Sequence, residues 1–323
     1  MSKINAAVAM LRNSPDITRE EAVSRFVVEL NMNKGQAKQY YASAMAKLYE
    51  GIDTVDVAPK QVKVEESDDT VMARIGERFD IMDAMTQAVV EGVVRSMIVV
   101  GPPGVGKSYG VTKKLAEANL FNMMAGDIRY DVVKGATTAL GLYAKLYEFS
   151  REGDVLVFDD CDSILMDELS LNILKAALDT NKKRYIHWNS DSKLLARDGI
   201  PNKFEFKGAC IFITNIKFDT IRSAKLRDHL SALESRSHYI DLTMNTMRDK
   251  FLRIKQIAMT GELFKDYKFE NGEEQEILDF MITNQNRLRE MSMRCAVKIA
   301  DLRKTMPEKW QRTAEVTLMK NAF

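Results

Sequence analysis

Cysteine, histidine and proline are scarce in this chain of 323 residues, at three, three and six. Cys161, Cys210 and Cys295 are scattered, odd in number and without metal-ligand spacing, so neither a disulfide framework nor a zinc site is expected, and they read as buried thiols in a reducing compartment. His187, His229 and His238 form no HExxH or comparable pattern, which argues against a metal centre built on them. An excess of either charge is also lacking. With 47 Lys and Arg against 46 Asp and Glu, the net charge of +1 steers nothing, and any affinity for nucleic acid must come from a local patch. No apolar run approaches the roughly 20 residues that span a bilayer. No charged-then-apolar leader opens the chain. The expected location is therefore the cytoplasm, without a membrane partner.

What the chain does contain falls into four expected segments. Residues 1–51 read as a small helical domain: Thr18 and Glu21 fit a capping box, Val23, Phe26, Val27 and Leu30 follow at helical spacing, "NMNKG" turns the chain, and a second helix runs to Gly51. Ala37, Tyr41, Ala44, Met45 and Leu48 can form the inner face of that second helix, while Lys34, Gln36, Lys38, Gln39 and Lys47 stay outside with no acid among them. Residues 52–70 are acidic and aperiodic, as in a linker. Residues 71–242 alternate helical patterns with the apolar runs "SMIVVG", "VLVFDD", "ACIFITN" and "YIDL", which suits strands of a parallel sheet covered on both faces. Residues 243–323 read as helices only, in "RDKFLRIKQIAMT", "EEQEILDFMITNQ" and "LREMSMRCAVKIADLRK".

The most specific signal is "GPPGVGKS", Gly101 to Ser108, between the run "SMIVV" and a helix expected over about Ser108 to Ala118. GxxxxGKS in a strand-loop-helix setting is a phosphate cradle, because glycine amides and a helix N-terminus point at phosphate oxygens. Lys107 would reach the β and γ phosphates of a nucleotide and Ser108 would offer its hydroxyl to Mg²⁺. A second strand should end in carboxylates, and "DVLVFDDCDSI" supplies them. Asp159 at its tip can reach Mg²⁺ through water, and Asp160 can orient an attacking water. Asp160 and Asp162 could instead cap the next helix, as aspartate often does.

"GPPGVGKS", "LVFDDCDSI", "IFITN" and "ALESRSHYIDL", in this order and followed by an all-helical piece, resemble the AAA+ ATPases over roughly residues 71–310. The resemblance implies an α/β fold: a P-loop AAA+ core whose parallel sheet is flanked by helices, with an all-helical C-terminal lid added to the small helical N-terminal domain. It implies ATP and Mg²⁺ as ligands, with the nucleotide held by Gly101, Pro102, Pro103, Gly104, Val105, Gly106, Lys107, Ser108 and Tyr109, and the metal by Ser108 and Asp159. Asn215 matches the sensor 1 position, although asparagine at a strand end is also an ordinary turn residue. Arg236 resembles the finger that reaches a neighbouring subunit's nucleotide, with Arg227 and Arg222 as competitors. Matching "LREM" to the family's Arg-Glu-Leu places sensor 2 at Arg289, with Arg294 as the alternative. The family usually carries Asp-Glu-x-Asp where this chain has Asp159, Asp160, Cys161 and Asp162, so an aspartate replaces the usual catalytic glutamate.

The implied activity is ATP hydrolysis in a ring-like homo-oligomer, a hexamer foremost. Further local features, "VKGATTALGLYAKLY" and "LNILKAALDTNKKRYIHW", look like ATPases encoded by bacteriophages, which would place the protein in a host cytoplasm. Lys34, Gln36, Lys38 and Gln39 are residue types that contact phosphates and base edges, so remodelling, loading or movement on DNA is one expected role. A partner protein gripped by the same two helices, or a slow nucleotide-dependent scaffold, is the other. Lys134 falls where such rings place a loop facing the pore. Lys182, Lys183 and Arg184, with Tyr185 and Trp188, either touch nucleic acid or belong to a hairpin packed on the core.

Overall fold

The computed structural model describes residues 3–14, 17–49 and 66–320, and the chain divides into two units, Met1–Glu65 and Glu66–Phe323. Most of the expected acidic linker, with Gly51, lies outside the described residues. Its last residues belong to a helix instead: Ser67 accepts from the Thr70 amide and caps the helix Asp68–Val90.

Among its described residues the first unit holds three helices, Lys3–Arg12, Arg19–Glu29 and Lys34–Tyr49, one more than the two expected. Thr18 and Glu21 form the reciprocal capping box that opens the second. Asn31, with a φ of 47°, turns the chain in the left-handed region that asparagine tolerates. Ala37 and Ala44 are fully buried against Ala7, Ala22 and Phe26, and Tyr41, Met45 and Leu48 pack on the same core.

The second unit is built on a five-stranded parallel sheet. In chain order its strands are β1 (Ser96–Val100), β2 (Tyr130–Lys134), β3 (Val155–Asp159), β6 (Ala209–Thr214) and β7 (His238–Asp241), while β4 (Tyr185–His187) and β5 (Lys203–Glu205) form a separate antiparallel hairpin. The spatial order is β2-β3-β6-β1-β7. Every residue of β1, β3 and β6 is buried, which is why these strands read as unbroken apolar runs. β2 lies at the sheet edge and is only half-buried, and its sequence carries no such run.

Parallel strands end on one edge of the sheet, and their order decides which loops meet there. β6 lies between β1 and β3. The residue following β6 therefore emerges between the glycine-rich loop after β1 and the carboxylates after β3. After β7 the described residues form four α-helices, Met247–Met259, Glu273–Thr283, Met293–Thr305 and Trp310–Leu318.

Candidate functional site

Gly106, at a φ of 99°, ends the loop and opens the helix Lys107–Ala118. Lys107 is 6% exposed and donates to the Gly101 carbonyl at 2.6 Å, the Pro102 carbonyl at 2.9 Å and Asn215 Oδ1 at 2.8 Å. Burial pulls its pKa down to about 8, against the opposing pull of Asp160 and Asp159. Asn215 in turn donates through Nδ2 to Asp160 Oδ1 at 2.9 Å. One amide thus joins the loop lysine to the acid beyond β3, as an acceptor on one side and a donor on the other.

Ser108 Oγ donates to Asp159 Oδ1 at 2.6 Å, and Lys134 Nζ lies 3.2 Å from Asp159 Oδ2. Lys134 ends β2 directly opposite Asp159 in register, so an expected loop residue is in fact a strand end paired with a carboxylate. A hydroxyl and a buried carboxylate side by side are hard oxygen donors of the kind that take Mg²⁺ together with water and phosphate oxygens. These residues fit that ion.

Asp160 caps no helix. The following helix, Asp162–Met166, starts beyond it from Cys161, and Asp162 accepts from Thr214 Oγ1 at 2.7 Å. Asp160 has a φ of 53°, in the left-handed region, and burial raises its carboxyl pKa, with Asp159 adding to the effect.

A cavity of about 320 Å³ gathers Pro103, Gly104, Gly106, Lys107, Ser108, Tyr109, Asp160 and Asn215 from the sheet side and Ile257, Glu262, Leu263, Met293 and Arg294 from the C-terminal helices. Gly101 and Pro102 contribute carbonyls to Lys107 without lining it, and Val105 is buried in the core. The Met293 amide donates to the Gly104 carbonyl at 2.8 Å, which fastens the start of the helix Met293–Thr305 to the loop. A side chain at Gly104, where φ is 71°, would bring its Cβ within 2.7 Å of Ser292 Cβ, so glycine is required there by both backbone and space.

Arg289 is not part of this site. Ser292 accepts from the Cys295 amide and caps the last-but-one helix, so that helix begins four residues beyond Arg289. Arg289 instead sits exposed in a preceding turn, its amide bonded to the Leu318 carbonyl at 2.9 Å. The arginine in the cavity wall is Arg294. Ser292, a capping residue directly before a helical pattern, was the sequence signal that locates it.

Arg236 is half-buried, folded back so that Nη1 donates to the Ala232 carbonyl, and its Nε has no partner among the described residues. Arg222 and Arg227 are exposed. The expected basic patch is also divided. Arg184 is buried, donating to the Ala177 and Gly208 carbonyls at 2.9 and 3.0 Å, and Trp188 packs against Tyr143. Lys182, Lys183 and Tyr185 remain exposed. In the first unit Lys34, Gln36, Lys38 and Gln39 are all exposed, but the Gln36 side chain accepts from the Asn33 amide while Asn33 Oδ1 accepts from the Gln36 amide, a reciprocal cap.

Residues 97–234 match the ATPase family associated with various cellular activities (AAA). Over 264 residues the chain is also 37% identical to the uncharacterized 36.7 kDa protein in the nrdC-mobD intergenic region of Enterobacteria phage T4, with 80% of each chain covered.

Proposed function

Since the chain belongs to the AAA family of ATPases, we propose that its cavity binds Mg-ATP and hydrolyses it. The observation that carries this reading is the path from Lys107 through Asn215 to Asp160 at the mouth of one cavity. Lys107 would exchange its three oxygen acceptors for the β and γ phosphates. Ser108 and Asp159 would hold the ion, and Asp160 would orient the attacking water while Asn215 fixes its carboxylate. Bound Mg²⁺ supplies neutralisation of the charge on the phosphates. Arg294, in the first turn of its helix and in the cavity wall, would contact the phosphates from the lid side and report whether the γ phosphate is present.

We further read the protein as a ring-like oligomer, a hexamer foremost, that couples this turnover to remodelling, loading or movement on DNA. Oligomers are common in the family. Docking through the first unit is supported by the exposed Lys34, Lys38 and Gln39 on a helix face without acids. Because Gln36 is engaged in its cap, Gln39 is the amide left to read a base edge.

The test measures ATPase rate with and without single- and double-stranded DNA, and DNA affinity against salt for the wild type and Lys34→Ala/Lys38→Ala. DNA should stimulate turnover. Removing one lysine–phosphate pair should lower the magnitude of the salt slope by about 0.9 on duplex DNA, so binding by the double variant is weaker and less salt-dependent. Superimposable salt curves would reject DNA docking and leave a partner protein as the client of this helix.

A further inference from the structure

Asn215 joins Lys107 to Asp160, yet it is exposed and follows the last residue of β6, so burial and strand pairing do little to fix its side chain. One hydroxyl holds the residues on either side of it. Thr214 is fully buried, and its Oγ1 accepts from the Ile216 amide at 3.0 Å and donates to Asp162 Oδ1 at 2.7 Å. The first bond closes a tight turn around Asn215. The second ties that turn to the segment that follows β3. A hydroxyl has a single proton, and Asp162 takes it, which leaves the oxygen lone pairs for the Ile216 amide.

Asp160, at the far end of the path, also needs support. Its left-handed backbone is unfavourable for a residue with a Cβ and persists only where its surroundings impose it. The Asp160 amide donates to the Ile213 carbonyl at 2.9 Å, and two residues later Asp162 receives the Thr214 hydroxyl. The ends of β3 and β6 are thus stitched together twice, once by backbone and once by side chains. The bond of 2.9 Å from Asn215 Nδ2 to Asp160 Oδ1 forms beside these stitches.

We propose that Thr214 and Asp162 are positioning residues for hydrolysis, and that their hydrogen bond sets where Asn215 stands relative to Asp160. The inference rests on the ATPase reading above. Neither residue lines the phosphate cavity, so their effect reaches the nucleotide only through Asn215 and Asp160. When the bond is lost, the contacts of Lys107 with the Gly101 and Pro102 carbonyls and of Ser108 with Asp159 remain. The loss therefore falls on turnover and spares binding.

The test measures ATP affinity and kcat for the wild type, Thr214→Val, Thr214→Ser, Asp162→Ala and the double variant Thr214→Val/Asp162→Ala. Hydrogen exchange of the Asn215 side-chain amide, followed by NMR in the ligand-free protein, reports its position without any turnover. Thr214→Val keeps the shape of the side chain but makes neither bond, so kcat should fall by about tenfold or more, the scale of a misplaced catalytic group. ATP affinity should stay within about twofold, and the Asn215 amide should exchange faster. Thr214→Ser restores the hydroxyl and should restore kcat. Asp162→Ala should slow turnover in the wild type and change nothing further beside Thr214→Val, because both substitutions remove the same bond.

If Thr214→Val folds poorly, Asp162→Ala and Asp162→Asn make the same comparison, since the first removes the acceptor and the second keeps one. Wild-type kcat and wild-type Asn215 exchange in Asp162→Ala would overturn the assignment, as would additive losses in the double variant or a fall in ATP affinity that matches the fall in kcat. A wild type that releases no phosphate would remove the ATPase reading itself. The exchange measurement would then still decide whether this pair positions Asn215.

Discussion

Lys107 donates to three oxygens of its own chain, and its burial outweighs the pull of Asp160 and Asp159, taking its pKa from 10.5 to about 8. The consequence for stability has a definite sign. Below pH 8 the ammonium is charged in folded and unfolded chains alike, and its burial is fully unfavourable. Between about pH 8 and 10.5 the unfolded chain binds more protons than the folded one, so stability rises with pH across that window, by on the order of 3 kcal/mol in total. Thermal melts of the ligand-free protein should show this rise relative to Lys107→Met, which has no proton to release. Parallel stability curves for the two proteins between pH 8 and 10 would show that the lysine is not held in a desolvated state. That Lys107 and Ser108 open a helix behind a glycine-rich loop and that Asp159 ends a buried strand was legible in the sequence, because the GxxxxGKS residues are contiguous and the strand is an unbroken apolar run. The pairing of Lys134 with Asp159 was not legible, since it is set by strand order.

Among the elements, β1, β3 and β6 were legible because burial on both faces demands continuous apolar runs. β2 is an edge strand with mixed burial, and its five residues "YDVVK" carry no pattern that separates strand from loop. The start of the helix Met293–Thr305 was misplaced for a different reason: "LREM" has helical spacing, but the Leu288 bridge to Met319 and the Ser292 cap fix those residues as a turn. This difference decides which arginine faces the cavity. Arg294→Ala should weaken ATP binding or uncouple it from hydrolysis by about tenfold or more, the scale of one charge-assisted hydrogen bond to phosphate. Arg289→Ala, on the exposed turn, should leave both within about twofold. Nucleotide titrations and steady-state rates for the pair check this, and the opposite ranking would return the role to Arg289.

At the scale of the molecule, the α/β core followed by helices was readable from the order of its motifs, whereas assembly depends on surfaces that no single chain completes. Arg236 illustrates the difficulty: its place before β7 suits a finger acting on a neighbouring subunit, yet in the isolated chain its guanidinium is folded onto the Ala232 carbonyl. If it swings out on assembly, Arg236→Ala should cut turnover by about 10³-fold while sparing nucleotide binding. Mixing it with Lys107→Ala subunits should restore part of the activity, because intact sites form wherever an Arg236 donor meets a Lys107 acceptor. Mixtures that co-assemble without rescue would favour the exposed Arg227 or Arg222. The central claim, that this cavity binds and hydrolyses ATP, is tested most directly by measuring ATP bound and phosphate released in parallel for the wild type, Lys107→Ala and Asp160→Asn. The wild type should do both, Lys107→Ala should bind no ATP, and Asp160→Asn should hold ATP while releasing phosphate about 10²-fold more slowly or worse. Wild-type affinity in Lys107→Ala, or turnover within about twofold of wild type in Asp160→Asn, would contradict it.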